Sequence, residues 1–423
     1  MLHRFLQLRH NELIRSSALI LFFKVLIAAA GFLISAIITR QLGAEVAGHY
    51  FFTLSFIAIV AVFVKQGSEQ AVTRFVASAN DVKTKSLILK SWLKPVFSMS
   101  LAVIAVMVVV LFSLKRELST QWLYALTYGS VALILVPLYA VINQAHLGQK
   151  NYFNFSFSSL SVRLSHVTML IVMLFTANLG VEMALVSFLL ANLVALLFVF
   201  VKWEGSFKKD TAQLNSQLVT EMAKTKSSLW IASILTVLSI QMVPFILGNL
   251  GQLSEVSYFA VSYQLTMMVG FIVMSVSHAI SPDFSNSFSQ KDFVGLQQSF
   301  LKARKLMIIS CGPIVIGLIV AAELLLSFFG DGFESATPVL RVLLLGKLVN
   351  LAVGPAGQLL VMSGNEKTYK NNVSIGFAVL VSIGVVSTYR WGAIGGAWAI
   401  TISMLVSNLL SFLQVKKYFN SVV

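Results

Sequence analysis

Four cationic side chains, Lys24, Arg163, Arg341 and Lys347, fall inside runs of otherwise apolar residues, and one carboxylate, Glu323, does the same. A charge within an apolar, membrane-length segment costs at least about 2.5–3.5 kcal/mol, so such groups ordinarily face a wet cavity or a partner of opposite sign. The chemistry open to lysine and arginine there is the holding of an oxyanion through charge-assisted hydrogen bonds. In "PVLRVLLLGKLVNLAVG", residues 338–354, a helix turning about 100° per residue puts Asn350, Gly354 and, further on, Gln358 on the face of Lys347. The same wheel groups Lys24 with Gly31 and Ser35, Arg163 with Ser156, Ser159 and His166, and Gln264 with Ser275 and His278.

The candidate residues for an anionic, polar ligand are therefore Lys24, Arg40, Arg163, His278, Arg341, Lys347, Asn350 and Gln358, with Lys347 foremost. Plainer readings stand beside each. Lys24 and Arg163 lie near span ends and can snorkel to headgroups, Arg341 can anchor an interface, and His278 can be a polar residue at a helix end. Lys347 can pair with Glu323. Glu323 in turn either takes up a proton in energy coupling or neutralises Arg341 or Lys347.

Enzyme chemistry finds little support. One cysteine, Cys311, and no Cys/His grouping at ligand spacing leave no metal site to expect, and no cofactor is expected. Paired carboxylates, a nucleophile elbow and a phosphate-binding glycine loop are absent from the sequence. The longest connection on the side opposite the termini, "GDGFESAT" at 330–337, is too short for a catalytic domain.

The elements that must position these residues are membrane spans. Of 423 residues 57% are hydrophobic and 11% charged, against about 25% charged in soluble domains. Runs of about 20 apolar residues lie near 17–39, 45–64, 95–114, 121–145, 156–177, 181–202, 229–250, 256–281, 306–329, 338–362, 371–389 and 393–415. Lipid admits such spans as helices, which predicts an all-α polytopic protein of about twelve transmembrane helices. Between the spans, all but four of the lysines and arginines fall on the side that carries both termini; Arg40, Lys115, Arg116 and Arg390 fall on the other. The positive-inside rule then puts both termini in the cytoplasm. It also gives the net charge of +15 a reading other than nucleic-acid binding. The longer connections, roughly 65–94, 203–228 and 282–305, carry helix-period stretches such as "LVTEMAKTKSSLW" and "FVGLQQSFLKARK" that suit amphipathic segments on the membrane surface.

The halves resemble each other. "GHYFFTLSF" (48–56) lies over "SYFAVSYQL" (257–265), and the same offset sets "EQAVTRFVAS" (69–78) over "HAISPDFSNS" (278–287). This predicts two six-helix lobes, 1–215 and 216–423. Six being even, the repeats are parallel, and a substrate site is expected between them near the midplane.

"ITRQLGAEVAGHYFFTLSF" (38–56) and "KQGSEQAVTRFVA" (65–77) resemble the opening of the Wzx-type polysaccharide flippases of the multidrug/oligosaccharidyl-lipid/polysaccharide (MOP) exporter superfamily, at Arg40, Leu42, Gly43, Gly48, Tyr50, Gly67, Thr73, Arg74 and Phe75. "WGAIGGAWA" (391–399) is similar to that family too. The resemblance implies a V-shaped two-lobe transporter in a bacterial inner membrane that moves an undecaprenyl-diphosphate-linked oligosaccharide, such as an O-antigen repeat unit, to the outer leaflet through a cationic cavity. It implies as partners that lipid-linked oligosaccharide, membrane lipids, and the polymerase and other assembly proteins of polysaccharide synthesis, with no nucleic acid. An ion-coupled multidrug exporter and a lipid II flippase of the same superfamily are the nearest alternatives, and a membrane polymerase or ligase a remoter one.

Overall fold

Backbone groups in hydrocarbon must be bonded within their own segment, and the long apolar runs of this chain comply. A computed structural model describes residues 2–176, 179–203, 214 and 216–422, with side chains described from residue 19 onward except 217, 218, 418–422 and scattered positions between 272 and 289. The regular elements among them are helices: α1 (Leu2–Lys65), α2 (Ser68–Ser78), α3 (Val82–Leu114), α4 (Thr120–Gly148), α5 (Tyr152–Thr176), α6 (Val181–Val201), α7 (Ser216–Asn249), α8 (Leu253–Ser289), α9 (Phe293–Val320), α10 (Ala322–Ser327), α11 (Thr337–Val353), α12 (Ala356–Met362) and α13 (Glu366–Val422), with a 3₁₀ turn at Phe333–Ala336.

Nine helices among the described residues are long and apolar enough to cross a membrane. Two of them are too long for a single crossing. At 1.5 Å per residue, the 64 residues of α1 and 57 of α13 exceed a hydrocarbon layer of about 30 Å more than twofold. Each is a pair of helices joined at a kink, at Gly43 (φ 73°, ψ 170°) in α1 and at Trp391–Gly392 in α13. With both legs counted, and α8 over the span expected near 256–281, every expected span has its helix. The chain is an all-α polytopic membrane protein.

Three expectations need correction. The stretches "LVTEMAKTKSSLW" and "FVGLQQSFLKARK" are not separate surface helices but the first turns of α7 and α9. Nothing between them and the following apolar run breaks a helix, and Asp292 starts α9 by accepting the Gly295 N–H at 2.9 Å. The span expected at 306–329 ends at Val320, so Glu323 lies in the first turn of the short α10 rather than within the crossing. The span expected at 338–362 breaks at Gly354, whose φ of 77° only glycine adopts readily, followed by Pro355, which has no N–H to continue the ladder.

By packing the chain forms two compact units, residues 1–38 with 49–241, and 39–48 with 242–423. The packing border falls inside α7, between residues 241 and 242. Pro244, the one proline in α7, cannot bond the carbonyl of Ile240 and so loosens the helix at that point. In the first unit α2 packs on α3 and α4, and α4 on α5 and α6. In the second, α8 packs on α9 and α11, and α13 on α11 and α12.

The motif residues at the start of the chain are tied to these units. In the second unit Gly43 makes the turn, Gly48 lies flush on the Leu253 backbone, where a Cβ would overlap its carbonyl, and Ser257 Oγ donates to Ala44 O at 2.6 Å. In the first, Gly67 (φ 74°) precedes α2 with the Trp230 amide 2.7 Å from where its Cβ would stand. Thr73 Oγ1 donates to Gln144 Oε1 at 3.0 Å, Arg74 pairs with Glu221 at 2.8 Å, and Phe75 is buried. At the offset of the expected repeat, the far end of α8 lies over α2; α8 runs on unbroken there, with Ser275 and Val276 where the first half has Gln66 and Gly67. The glycines of "WGAIGGAWA" do similar work: Gly392 takes φ 59°, and Gly395 and Gly396 let the second leg of α13 touch Ser387 and Val243. Small residues replace hydrophobic driving force in such contacts. Asn372, buried, ties the same two legs together through Ser411 Oγ at 3.0 Å and Gln414 Oε1 at 2.6 Å.

Gly48→Val should cost about 1–3 kcal/mol by overpacking, read as a lowered melting temperature of the purified protein. A second outcome concerns pH. Asp81 caps α3 by accepting the Thr84 N–H at 2.7 Å, and that bond lowers its carboxyl below the ordinary aspartate value. A folded value below the unfolded one means the cap's contribution is present above the ordinary carboxylate range and is lost as pH falls through the folded value. The protection factor of the Thr84 amide against hydrogen exchange should therefore fall below about pH 4, and Asp81→Ala should show the lower protection already at neutral pH.

Candidate functional site

The second unit carries Lys347, Asn350, Gln358, Arg341, Arg40 and Glu323. Lys347 sits on α11, between the buried Gly346 and the half-buried Leu348 and Val349, and is itself half-buried. It has no hydrogen bond or ion pair among the described residues. The pairing with Glu323 considered above is therefore not made; Glu323 is exposed. Because α11 ends at Val353, Lys347 lies roughly two turns from that end, closer than a helix running to 362 would place it.

Asn350 shares the Lys347 face on unbroken helix, and its carbonyl accepts the Gly354 N–H at 3.1 Å as the helix stops. Gln358 lies beyond the break, half-buried on α12, so the wheel that joins it to Lys347 does not hold across Gly354. Arg304 explains why the chain breaks with glycine there. Its Cβ and Cγ would stand 2.9 Å from a Cβ at 354, and its guanidinium lies over the Phe412 ring at 5.4 Å. Residues 353–356 are buried among Phe284, Phe300, Ala303 and Val415, which suits the rule that irregular backbone at membrane depth is tolerated only inside protein or beside water.

Arg341 is exposed and donates from Nε to Ile319 O at 3.3 Å, in the last turn of α9, where carbonyls lack helical partners. Arg40 is also exposed, and its backbone lies against Gly330. In the 330–337 connection Phe333 is fully buried, edge-on to Tyr258 at 5.3 Å. The side chain of His278 lies outside the described residues.

The first unit carries Lys24 and Arg163, both half-buried. Lys24 follows Phe23, which packs edge-on against Phe153 and Phe157 of α5 at 5.9 and 6.5 Å. On α5 the expected stripe turns inward at both ends. Ser156 and His166 are buried, and the His166 ring lies 6.2 Å from Tyr50 and 6.1 Å from Phe188. Ser159 and Arg163 between them stay half-buried.

Charge-centred reading missed a polar network on α4. Asn143 Nδ2 donates to Ser159 Oγ at 3.1 Å and to Tyr139 Oη at 3.3 Å, while Ser158 Oγ donates to Asn143 Oδ1 at 2.6 Å. Tyr139 and Asn143 stand four apart in an apolar span, a spacing that would have pointed to one helix face. One turn beyond Ser159 on α5 comes Arg163. The first unit thus combines a guanidinium with amide and hydroxyl groups, and the second a lysine with Asn350. Such sets suit an oxyanion with hydroxylated groups attached. Asn143→Leu should leave Ser158 Oγ without its 2.6 Å acceptor and destabilise the protein by about 0.5–2 kcal/mol, read as a lower melting temperature, whereas Asn350→Ala should leave that temperature within a degree or so of the parent.

A model of the family described as polysaccharide biosynthesis protein matches residues 13–288, and one described as MatE matches residues 229–389. Among solved structures, the chain is similar to an inward-facing multidrug resistance MATE family transporter of the MOP superfamily, with a TM-score of 0.74 over 93% of this chain and 95% of that one at 17% identity. It is similar to the lipid II flippase MurJ in an inward closed conformation, with a TM-score of 0.73 over 95% of this chain and 89% of that one at 15% identity. A MOP superfamily transporter from Pyrococcus furiosus, reported to have a binding pocket of reverse polarity, gives 0.66 over 97% and 96% at 15% identity. At these identities the likeness is one of fold. No curated protein matches the sequence.

Proposed function

Because the chain belongs to the polysaccharide biosynthesis protein family, we propose that it is a flippase carrying an undecaprenyl-diphosphate-linked oligosaccharide, such as an O-antigen repeat unit, from the cytoplasmic to the outer leaflet of a bacterial inner membrane, with both its termini cytoplasmic. The observation that carries the reading is Lys347: a cation on a membrane-crossing helix, half-buried and without a carboxylate partner among the described residues. A diphosphate is the kind of group that compensates such a charge, and it needs such a charge in return when it leaves water. Lys24 and Arg163 are its first contacts, Lys347 with Asn350 the central ones, and Arg341 with Arg40 the last. Gln358 and His278 complete the set, and hydroxyl and amide groups serve the sugars. The lipid tail stays in the bilayer throughout. Energy coupling through Glu323 loses support from its exposed place on α10.

Lys347→Ala should abolish surface polysaccharide while the protein remains in the membrane at normal abundance, and a strain lacking the gene should accumulate lipid-linked oligosaccharide on the cytoplasmic side. Normal polysaccharide from the variant removes Lys347 from the mechanism. The MatE match over 229–389 favours a second reading, an ion-coupled exporter of small molecules. That reading requires the deletion to sensitise cells to toxic cations and to leave polysaccharide intact, the opposite pair of outcomes.

A further inference from the structure

Away from both cationic stripes, the start of α3 and the first turns of α7 enclose a cleft of about 180 Å³ whose walls include Ser91, Trp92, Pro95, Leu214, Met222 and Lys226. Three of its features point to a ligand. Lys226, half-buried, supplies a positive charge. Trp92 is only 4% exposed, yet its indole Nε1 has no hydrogen-bond partner among the described residues; a buried indole N–H usually finds one, and going without costs about 1–3 kcal/mol. Pro95 has no N–H to offer the carbonyl of Ser91 one turn back. The Ser91 hydroxyl is already engaged with Ile88 O at 2.7 Å. The wall of a space well beyond the size of a single water thus carries one cation and two residues, Trp92 and Ser91, that bring an unpartnered donor and a freed acceptor.

We propose that this cleft seats the headgroup of a resident anionic phospholipid that carries a hydroxyl beside its phosphate, of the phosphatidylglycerol kind. The phosphate oxygens accept from Lys226 Nζ and the Trp92 indole, and the headgroup hydroxyl donates to Ser91 O. A lipid fits better than a dissolved phosphate because the face of α3 bearing Ser91 and Pro95 runs on through Ser98, Ala102, Ala105 and Val109, all exposed, which gives an acyl chain a narrow track to lie along. Tryptophan beside lysines at one end of an apolar helix, here with Lys90 and Lys94, is the composition of a membrane interface that draws anionic lipid. The inference shares no residue with the proposed transport contacts and does not rest on them.

The test uses the full-length protein in detergent, titrated with phosphatidylglycerol and read by native mass spectrometry, with phosphatidylcholine and free glycerol 1-phosphate in parallel. Phosphatidylglycerol should be retained, phosphatidylcholine should not, and glycerol 1-phosphate should not displace the lipid. Lys226→Gln and Trp92→Phe, which keeps the ring and removes the N–H, should each weaken retention about tenfold. Lys115→Gln, at the other end of α3, should leave it unchanged. Melting temperatures in phosphatidylcholine check that the variants are folded, and Lys226→Gln alone carries the test if Trp92→Phe is not. Equal retention of the two lipids, wild-type retention by the folded variants, an equal loss in Lys115→Gln, or full displacement by glycerol 1-phosphate would overturn the proposal.

Discussion

A lysine on a helix that crosses hydrocarbon costs at least about 2.5–3.5 kcal/mol, and nothing acidic among the described residues repays that cost at Lys347. Soluble proteins can leave such a charge to water; a span of "RVLLLGKLVNL" cannot do so unless water or an anion reaches the side chain. A structural ion pair would have explained the residue away. The one carboxylate that the sequence places within an apolar run, Glu323, instead sits exposed on α10, past the end of α9. An uncompensated cation is a ready binding partner for an anion, and on the proposed reading a diphosphate supplies it.

Bilayer chemistry also governs where the helices stop. Gly43, Gly354 and Gly392 hold backbone angles closed to other residues, and each stands where a long apolar stretch must turn or end. The family motif around Gly43, Gly48, Gly67 and Thr73 is accordingly one of architecture: two turns, one close approach to Leu253 and one hydrogen bond to Gln144. It identifies the fold and is silent on the ligand. On the proposed reading, specificity within a shared fold resides in side chains such as Lys347, Arg163 and the Asn143 network.

How much of this could be read from the sequence follows from which signals are periodic and which are conformational. Twelve apolar runs of membrane length were legible because lipid leaves a span one way to bond its backbone. The break at Gly354 was not, since a glycine followed by proline inside an apolar run is compatible with a kinked helix as well as with two helices; Arg304, fifty residues earlier, fills the space beside it. The helical wheel therefore placed Asn350 correctly beside Lys347 and carried Gln358 too far. The wheel for α5 found Arg163 but could not say that Ser156 and His166 point into the protein, because burial depends on neighbours distant in sequence such as Tyr50 and Phe188. Glu323 was misplaced for a related reason: "AAELLLS" is apolar enough to extend a span, and only the backbone turn at Ala321 ends it.

The most direct test asks what medium surrounds position 347. With Lys347 replaced by cysteine and the native, buried Cys311 replaced by alanine, membranes are treated with a water-soluble sulfonate thiol reagent. Rapid labelling from water, at a rate like that of a cysteine in a hydrated cavity, is the expected result. Labelling only by a lipid-soluble maleimide would place the residue against acyl chains and contradict the central claim.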